Sequence, residues 1–161
     1  MAITIKEVSD KKALKEFAAY PADYLYRNHP YYVPQLISDT MGTFTPTENP
    51  AYDFCEATCF MAYRDGKPVG RIAGIINNHF NEKTGKKEGR FGFVDFIDDE
   101  EVSKALFEAV ENWARQKGMT SMHGPLGFTD MDPEGLLIEG YEELGTSVTL
   151  YSYPYYRKHI E

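Results

Sequence analysis

The chain has 161 residues, of which 42% are hydrophobic and 26% are charged, as expected for one globular domain with a single core. Its 25 acidic and 17 basic residues give a net charge of -8, and the basic residues are scattered along the chain. A surface of this sign repels phosphate backbones, so a nucleic-acid partner is not expected.

The cysteines and the N-terminal residues narrow the class of protein further. Cys55 and Cys59 lie four residues apart without a second pair, which is poor spacing for zinc and no disulfide framework. We expect both to be reduced packing residues and predict no metal site. The first residues lack a basic leader, and no segment approaches the ~20 apolar residues that cross a bilayer. A cytoplasmic protein without a membrane partner is predicted.

The first third of the chain predicts a strand, a helix and a covering segment. Residues 3–8 alternate apolar and polar, as in a strand with one covered face. Ser9 or Asp10 is a helix cap, and the apolar stripe that follows is interrupted by Pro21. Residues 28–50 are irregular, with a short helical candidate near residues 34–41.

A β-hairpin is the clearest element of the sequence. Residues 57–63 and 67–76 flank Arg64-Asp65-Gly66, where Asp-Gly provides the positive φ that a tight turn requires. Residues 77–88 are polar and predict a loop. Residues 90–97 are apolar on both faces, which predicts a third, central strand.

An amphipathic helix follows this strand. Apolar residues recur at three- and four-residue spacing from Val102 to Trp113, Gly118 ends the helix, and Asp98 with Glu101 gives a capping pattern. Residues 120–125 then predict a parallel strand. This order of elements is typical of an α+β (mixed α/β) domain: a strand, a helix, a three-stranded meander, a helix and a strand.

This order, with Val69-Gly70-Arg71-Ile72 in the hairpin, resembles the core of the GNAT acyltransferases. Three stretches more narrowly resemble a poorly characterised bacterial family of longer GNAT-like proteins: Phe91-Gly92-Phe93-Val94-Asp95, His123-Gly124-Pro125-Leu126, and residues 135–140 with Pro154-Tyr155-Tyr156. The resemblance implies that residues 1–161 are one GNAT-like domain, a central mixed sheet flanked by helices, without the last strands of the superfamily. The free sheet edge would be covered by a second copy or by the remainder of a longer chain.

The resemblance also implies an acyl-CoA-dependent N-acyltransferase that acts on a small-molecule amine, with acetyl-CoA or another acyl-CoA. In the superfamily a glycine-containing turn after the central strand binds the CoA pyrophosphate. Here the turn reads Ile97-Asp98-Asp99-Glu100-Glu101, and acidic capping of the helix is the alternative interpretation. The candidate cofactor-binding residues are Phe96, Ile97, Asp98, Lys104 and His123. His123 has the alternative of a structural hydrogen bond.

The resemblance places catalysis at three residues. Asp95 on the central strand is the candidate general base, with its pKa raised by the neighbouring phenylalanines. Its alternative role is a pair with Arg71 across the hairpin. Tyr155 and Tyr156 are candidate acids for the departing thiolate, or else packing residues.

Two functions remain open. The first is the acyltransferase, for which the acidic residues of segment 128–149 would form a lid that attracts an amine, unless they are only a solvated face. The second is a non-catalytic GNAT-fold module for ligand binding or assembly, which has lost the CoA pyrophosphate loop.

Overall fold

The computed structural model describes residues 2–161, and its centre is a five-stranded mixed sheet with the order β1-β2-β3-β4-β5. The strands are β1 (Thr4–Glu7), β2 (Cys55–Arg64), β3 (Lys67–Asn77), β4 (Glu88–Phe96) and β5 (Ser121–His123). The first four are antiparallel, and β5 is parallel to β4. The mixed α/β class is thereby confirmed.

Among residues 2–161, five α-helices flank the sheet: α1 (Lys11–Tyr20), α2 (Ile37–Thr43), α3 (Asn78–Thr84), α4 (Glu100–Gln116) and α5 (Tyr156–Ile160). Asp10 caps α1, as predicted, and the α-helix is interrupted at Pro21, also as predicted, where a π-helical turn, Pro21–Leu25, begins. The prediction of a loop at residues 77–88 was wrong, because α3 lies there. Asn77 caps it by accepting from the Phe80 amide, and Gly85 ends it at φ 68°.

Helix α4 packs closely on β3. A Cβ at Gly70 would lie 2.7 Å from Leu106, and one at Gly74 would lie 2.9 Å from Trp113, so these two glycines allow the close approach. The cap of α4 is Asp99, whose side chain accepts from the Glu101 amide, and not Asp98 as the capping pattern predicted. One core lies between the sheet and α4, and a second lies beneath α1 and α2.

A β-bulge in β4 sets the geometry of the candidate site. Arg71 pairs with Asp95 but Ala73 pairs with Gly92, and Phe93 has a φ of 47°. The bulge directs Asp95 away from the α4 core. Strand β5 pairs with β4 only as far as Arg90, just before the bulge, and the Leu126 amide then donates to the Phe91 carbonyl.

Strand β5 pairs only with β4, and residues 2–161 place no strand on its other side. The predicted cover for this edge, a second copy or the remainder of a longer chain, stays a prediction. Within the same residues no helix is both long and apolar enough to cross a membrane.

Candidate active site at Asp95

Asp95 lies near the end of β4 with only 8% of its surface exposed. Arg71, its partner across the β3–β4 ladder, donates from Nε and Nη2 to Oδ2, each at 2.9 Å. The Tyr156 hydroxyl donates to Oδ1 at 2.8 Å. The cross-strand pair with Arg71, one of the two roles predicted for Asp95, is therefore present, and a predicted catalytic tyrosine contacts the same carboxylate.

Burial controls the ionisation of this carboxylate. Desolvation raises the pKa of Asp95 above its ordinary value and outweighs Arg71 and the Tyr156 hydrogen bond, both of which lower it. A raised pKa brings the carboxylate closer to the operating pH, where a general base is most effective. The direction is the one that the catalytic prediction requires.

The hydrogen bond from Tyr156 continues to a second phenol. The Tyr26 hydroxyl donates to the Tyr156 hydroxyl at 2.9 Å, and the Tyr156 ring stacks on Phe96 at 4.8 Å. Desolvation raises the pKa of both phenols far above the ordinary value, so both stay protonated and can donate. Sequence reasoning missed Tyr26, which lies 130 residues from Tyr156 and carries no local signal.

Tyr155 has different surroundings. Its hydroxyl donates to the Phe96 carbonyl at 2.5 Å, and burial raises its pKa. This contact attaches the start of α5 to the end of β4. The catalytic role of Tyr155 stays a prediction, whereas its packing role is visible in the structure.

A small cavity lies directly beside the Asp95 carboxylate. It measures about 40 Å³, and its wall includes Arg71, Asp95, Tyr156 and Leu136. One water molecule takes roughly 30 Å³ in the liquid, so the cavity has room for one group of that size, such as a water or an amine nitrogen.

An open groove of about 920 Å³ adjoins this cavity. The two spaces share the wall residues Gln35, Phe93, Pro133, Leu136 and Leu150. Four carboxylates lie in the groove wall: Asp39, Asp130, Asp132 and Glu134. Among the described residues, the wall includes no Lys or Arg. Much of the predicted acidic lid, residues 128–149, forms this wall.

The turn between β4 and α4 is closed by salt bridges. Asp99 pairs with Arg64 at 2.5 Å, and Glu101 pairs with Arg64 at 3.1 Å. The other two carboxylates contact α5, with Asp98 at 2.9 Å from His159 and Glu100 at 3.2 Å from Lys158. These four carboxylates surround the amino end of α4, so a CoA pyrophosphate would meet like charge at this position.

The candidate cofactor-binding residues lie in three places. Phe96 is fully buried, while Ile97 and Asp98 lie in the closed turn. Lys104 is exposed on α4, 4.0 Å from Glu108. His123 is exposed at the end of β5, 3.7 Å from the Glu88 carboxylate. Their cofactor role stays a prediction.

No group of three or more His, Cys, Asp or Glu side chains in residues 2–161 has an arrangement that could hold a metal ion. Cys55 and Cys59 are buried free thiols, and desolvation raises the pKa of both, so neither is an activated nucleophile.

Sequence comparisons identify two longer bacterial relatives of the chain. No family model matches the chain. Protein YghO of Escherichia coli (strain K12) is 33% identical over 157 residues, which is 98% of this chain and 40% of that protein. A bacterial ceramide synthase of Caulobacter vibrioides is 33% identical over 141 residues, which is 87% of this chain and 36% of that protein. The chain thus spans less than half the length of either relative.

Two solved structures share the fold. A tandem GNAT protein from the clavulanic acid biosynthesis pathway superposes with a TM-score of 0.56 at 14% identity, covering 74% of this chain and 35% of that one. A predicted acetyltransferase of Clostridium acetobutylicum with acetyl-CoA has a TM-score of 0.54 at 10% identity, covering 78% and 81% respectively. The chain has the GNAT fold, as its sequence predicted.

Proposed function

We propose that this GNAT-fold chain carries the acyl-transfer site of an N-acyltransferase whose acceptor is a long-chain primary amine. The observation that supports the proposal is the position of Asp95, a buried carboxylate with a raised pKa behind an acidic groove. A cation collects beside such a wall, and a base at its end can take up a proton.

The groove suits an amine with an apolar tail. Beside its carboxylates the wall contains Phe93, Leu136, Leu137 and Leu150, against which an alkyl chain can pack. Each buried CH₂ contributes about 0.8 kcal/mol. The printed name of the Caulobacter relative supports the same class, because ceramide is the amide of a fatty acid with a long-chain amino alcohol.

The chemistry needs one proton acceptor beside the amine. The amine nitrogen attacks the carbonyl carbon of an acyl thioester, a C–N bond forms and the C–S bond breaks. An acceptor bound as the ammonium first gives one proton through Asp95 to solvent, because only the neutral amine can attack. The proton that the nitrogen loses on attack then passes to Asp95, directly or through one water in the adjoining cavity, and ends on the departing thiolate. Arg71 and Tyr156 hold the Asp95 carboxylate in place during this transfer.

Amide formation tests the proposal. The protein is incubated with palmitoyl-CoA and with primary amines of increasing chain length, and the amides are quantified by mass spectrometry. We expect kcat/KM to rise about 3- to 4-fold per added CH₂ while the chain still fits the groove, in keeping with ~0.8 kcal/mol per group. Product from every amine without any dependence on chain length would contradict the assigned acceptor.

The closed turn predicts how the donor is recognised. S-palmitoyl-pantetheine, which lacks the adenosine phosphates, should retain kcat/KM within roughly 3-fold of palmitoyl-CoA, because the β4–α4 turn offers the phosphates no amides. One lost charge-assisted hydrogen bond costs about 1.5–3 kcal/mol, or at least roughly 10-fold. A loss of about 100-fold or more for the truncated donor would show that this turn opens and binds pyrophosphate.

The pH dependence distinguishes the two tyrosines. The Tyr156 hydrogen bond lowers the pKa of Asp95, so Tyr156→Phe should raise that pKa further. A base acts only when deprotonated, so the acid limb of the kcat/KM profile should move to higher pH. Tyr155→Phe is the matched control, because its hydroxyl bonds the Phe96 carbonyl, and its limb should not move. Equal shifts in both variants would contradict the assignment.

A non-catalytic ligand-binding or assembly module is the second candidate, and the closed β4–α4 turn favours it. A thermal-shift titration separates the two functions. A ligand at ~100 times its Kd adds about 2.7 kcal/mol to folding stability. No stabilisation by millimolar palmitoyl-CoA or palmitoyl-pantetheine, together with no amide product, would favour the module.

A further inference from the structure

We infer that the groove mouth, defined as Leu36, Met131 and Val148, docks on a lipid–water interface of low negative charge. The inference rests on the proposed function, because it concerns how a long-chain amine reaches the groove. It departs from the sequence-based expectation of no membrane partner, and it concerns the exposed rim of the groove and not the reacting groups at Asp95.

The first observation is the exposure of the mouth. Leu36 is 67% exposed, Met131 is 90% exposed and Val148 is 81% exposed, although all three are large apolar side chains. Single exposed apolar side chains are ordinary on protein surfaces. These three border one concavity, however, and clusters of this kind mark interaction sites.

The second observation is that two further exposed apolar side chains occur on the same segment, although neither lines the groove. Ile138 and Leu144, which are 65% and 70% exposed, lie in the irregular stretch that also contains Met131 and Val148. Residues 129–150 have no helix or strand. Side chains of this size on an irregular segment can enter the headgroup region without exposing a buried core.

The charge of the groove indicates which interface is suitable. Asp39, Asp130, Asp132 and Glu134 would be repelled by an anionic leaflet, whereas zwitterionic headgroups and the ammonium of the proposed acceptor would not repel them. A long-chain amine itself partitions into bilayers, since each buried CH₂ contributes about 0.8 kcal/mol. The bilayer that would hold the long-chain amine is therefore also the surface that the apolar groove mouth would contact.

Vesicle co-sedimentation tests the inference. The whole chain is mixed with phosphatidylcholine vesicles, or with vesicles in which phosphatidylglycerol replaces about a third of the lipid. We expect binding to pure phosphatidylcholine, weaker binding to the anionic vesicles, and a loss of roughly 10-fold or more for the double variant Met131→Asp/Val148→Asp. A 10-fold loss of affinity corresponds to about 1.4 kcal/mol of binding free energy, which burial of the two apolar side chains would supply. Tyr24→Asp is the control, because Tyr24 is 53% exposed and does not line the groove.

Several outcomes would overturn the inference. They are the absence of wild-type binding, an equal loss in Tyr24→Asp, stronger binding to anionic vesicles, and dimerisation in solution that the double variant abolishes, which would assign the mouth to a second copy. Asp95→Asn should bind vesicles like wild type. The co-sedimentation contains no acyl donor, and amide formation is assayed separately in the absence of vesicles with octylamine, which is soluble in water yet has an alkyl chain that can pack in the groove. Failure of the docking surface can thus be distinguished from failure of the acyltransferase.

Discussion

Asp95→Asn is expected to lower amide formation by roughly 10²- to 10⁴-fold, the usual contribution of a positioned general base. The asparagine side chain keeps the size of the carboxylate but cannot take up the proton that the amine loses. Steady-state kcat/KM for a long-chain amine, measured by product formation, gives the result.

The control for this prediction is the folding stability of the variant. The Asp95→Asn substitution also weakens the contact with Arg71, so the melting temperature is measured alongside, and turnover is compared well below it. Asp95→Glu keeps a carboxylate and should retain more activity than Asp95→Asn. Full turnover by a folded Asp95→Asn protein would show that Asp95 is only the structural partner of Arg71.

Arg71→Met is expected to destabilise the protein by about 3–5 kcal/mol, because it leaves the buried Asp95 carboxylate without its cation. The side chains of Arg71 and Asp95 are only 8% and 12% exposed, so water cannot replace the missing charge. The arginine also donates to the Phe17 carbonyl at 3.0 Å and stacks on the Phe17 ring, and both contacts are lost. Urea unfolding of the variant and the wild type measures the difference.

Two further measurements show whether the unpaired Asp95 charge causes the loss of stability: the pH dependence of unfolding and the stability of a double variant. Since Arg71 lowers the pKa of Asp95, its removal raises that pKa further. A carboxylate whose pKa is raised in the folded state destabilises it above that pKa, and the penalty fades as the pH falls toward the ordinary value. The deficit of Arg71→Met should therefore shrink in acid. Arg71→Met/Asp95→Leu should recover most of it, and an undiminished deficit in the double variant would attribute the loss to packing.

Most of the sheet was predictable because its patterns are local. Asp65 and Gly66 fixed the hairpin, and the apolar run around Asp95 fixed a strand with neighbours on both sides. Helix α3 was missed because it has only seven residues and a polar sequence. It is held by tertiary contacts, among them the Asn81 side chain on the Glu88 carbonyl and the Phe54–His79 stack. Such contacts have no signature in sequence periodicity.

In the candidate site, too, local contacts could be predicted from the sequence and contacts between distant residues could not. The pairing of Arg71 with Asp95 could be predicted, since both lie on adjacent strands of one meander. The contact between Tyr26 and Tyr156 joins residues that are 130 positions apart, and such a distant contact leaves no local pattern in the sequence. The acidic turn was visible in the sequence. Its salt bridges to Arg64, Lys158 and His159 were not, because no local pattern places α5 against this turn.

The most direct test of the account is a crystal structure of the protein with a long-chain primary amine. We expect the nitrogen within about 2.6–3.2 Å of an Asp95 carboxylate oxygen, or one water away, with the tail along Leu136 and Leu150. An amine bound instead in the separate cavity between α1 and α2, lined by Leu14, Met41 and Tyr52, with Asp95 still bonded only to Arg71 and Tyr156, would contradict it.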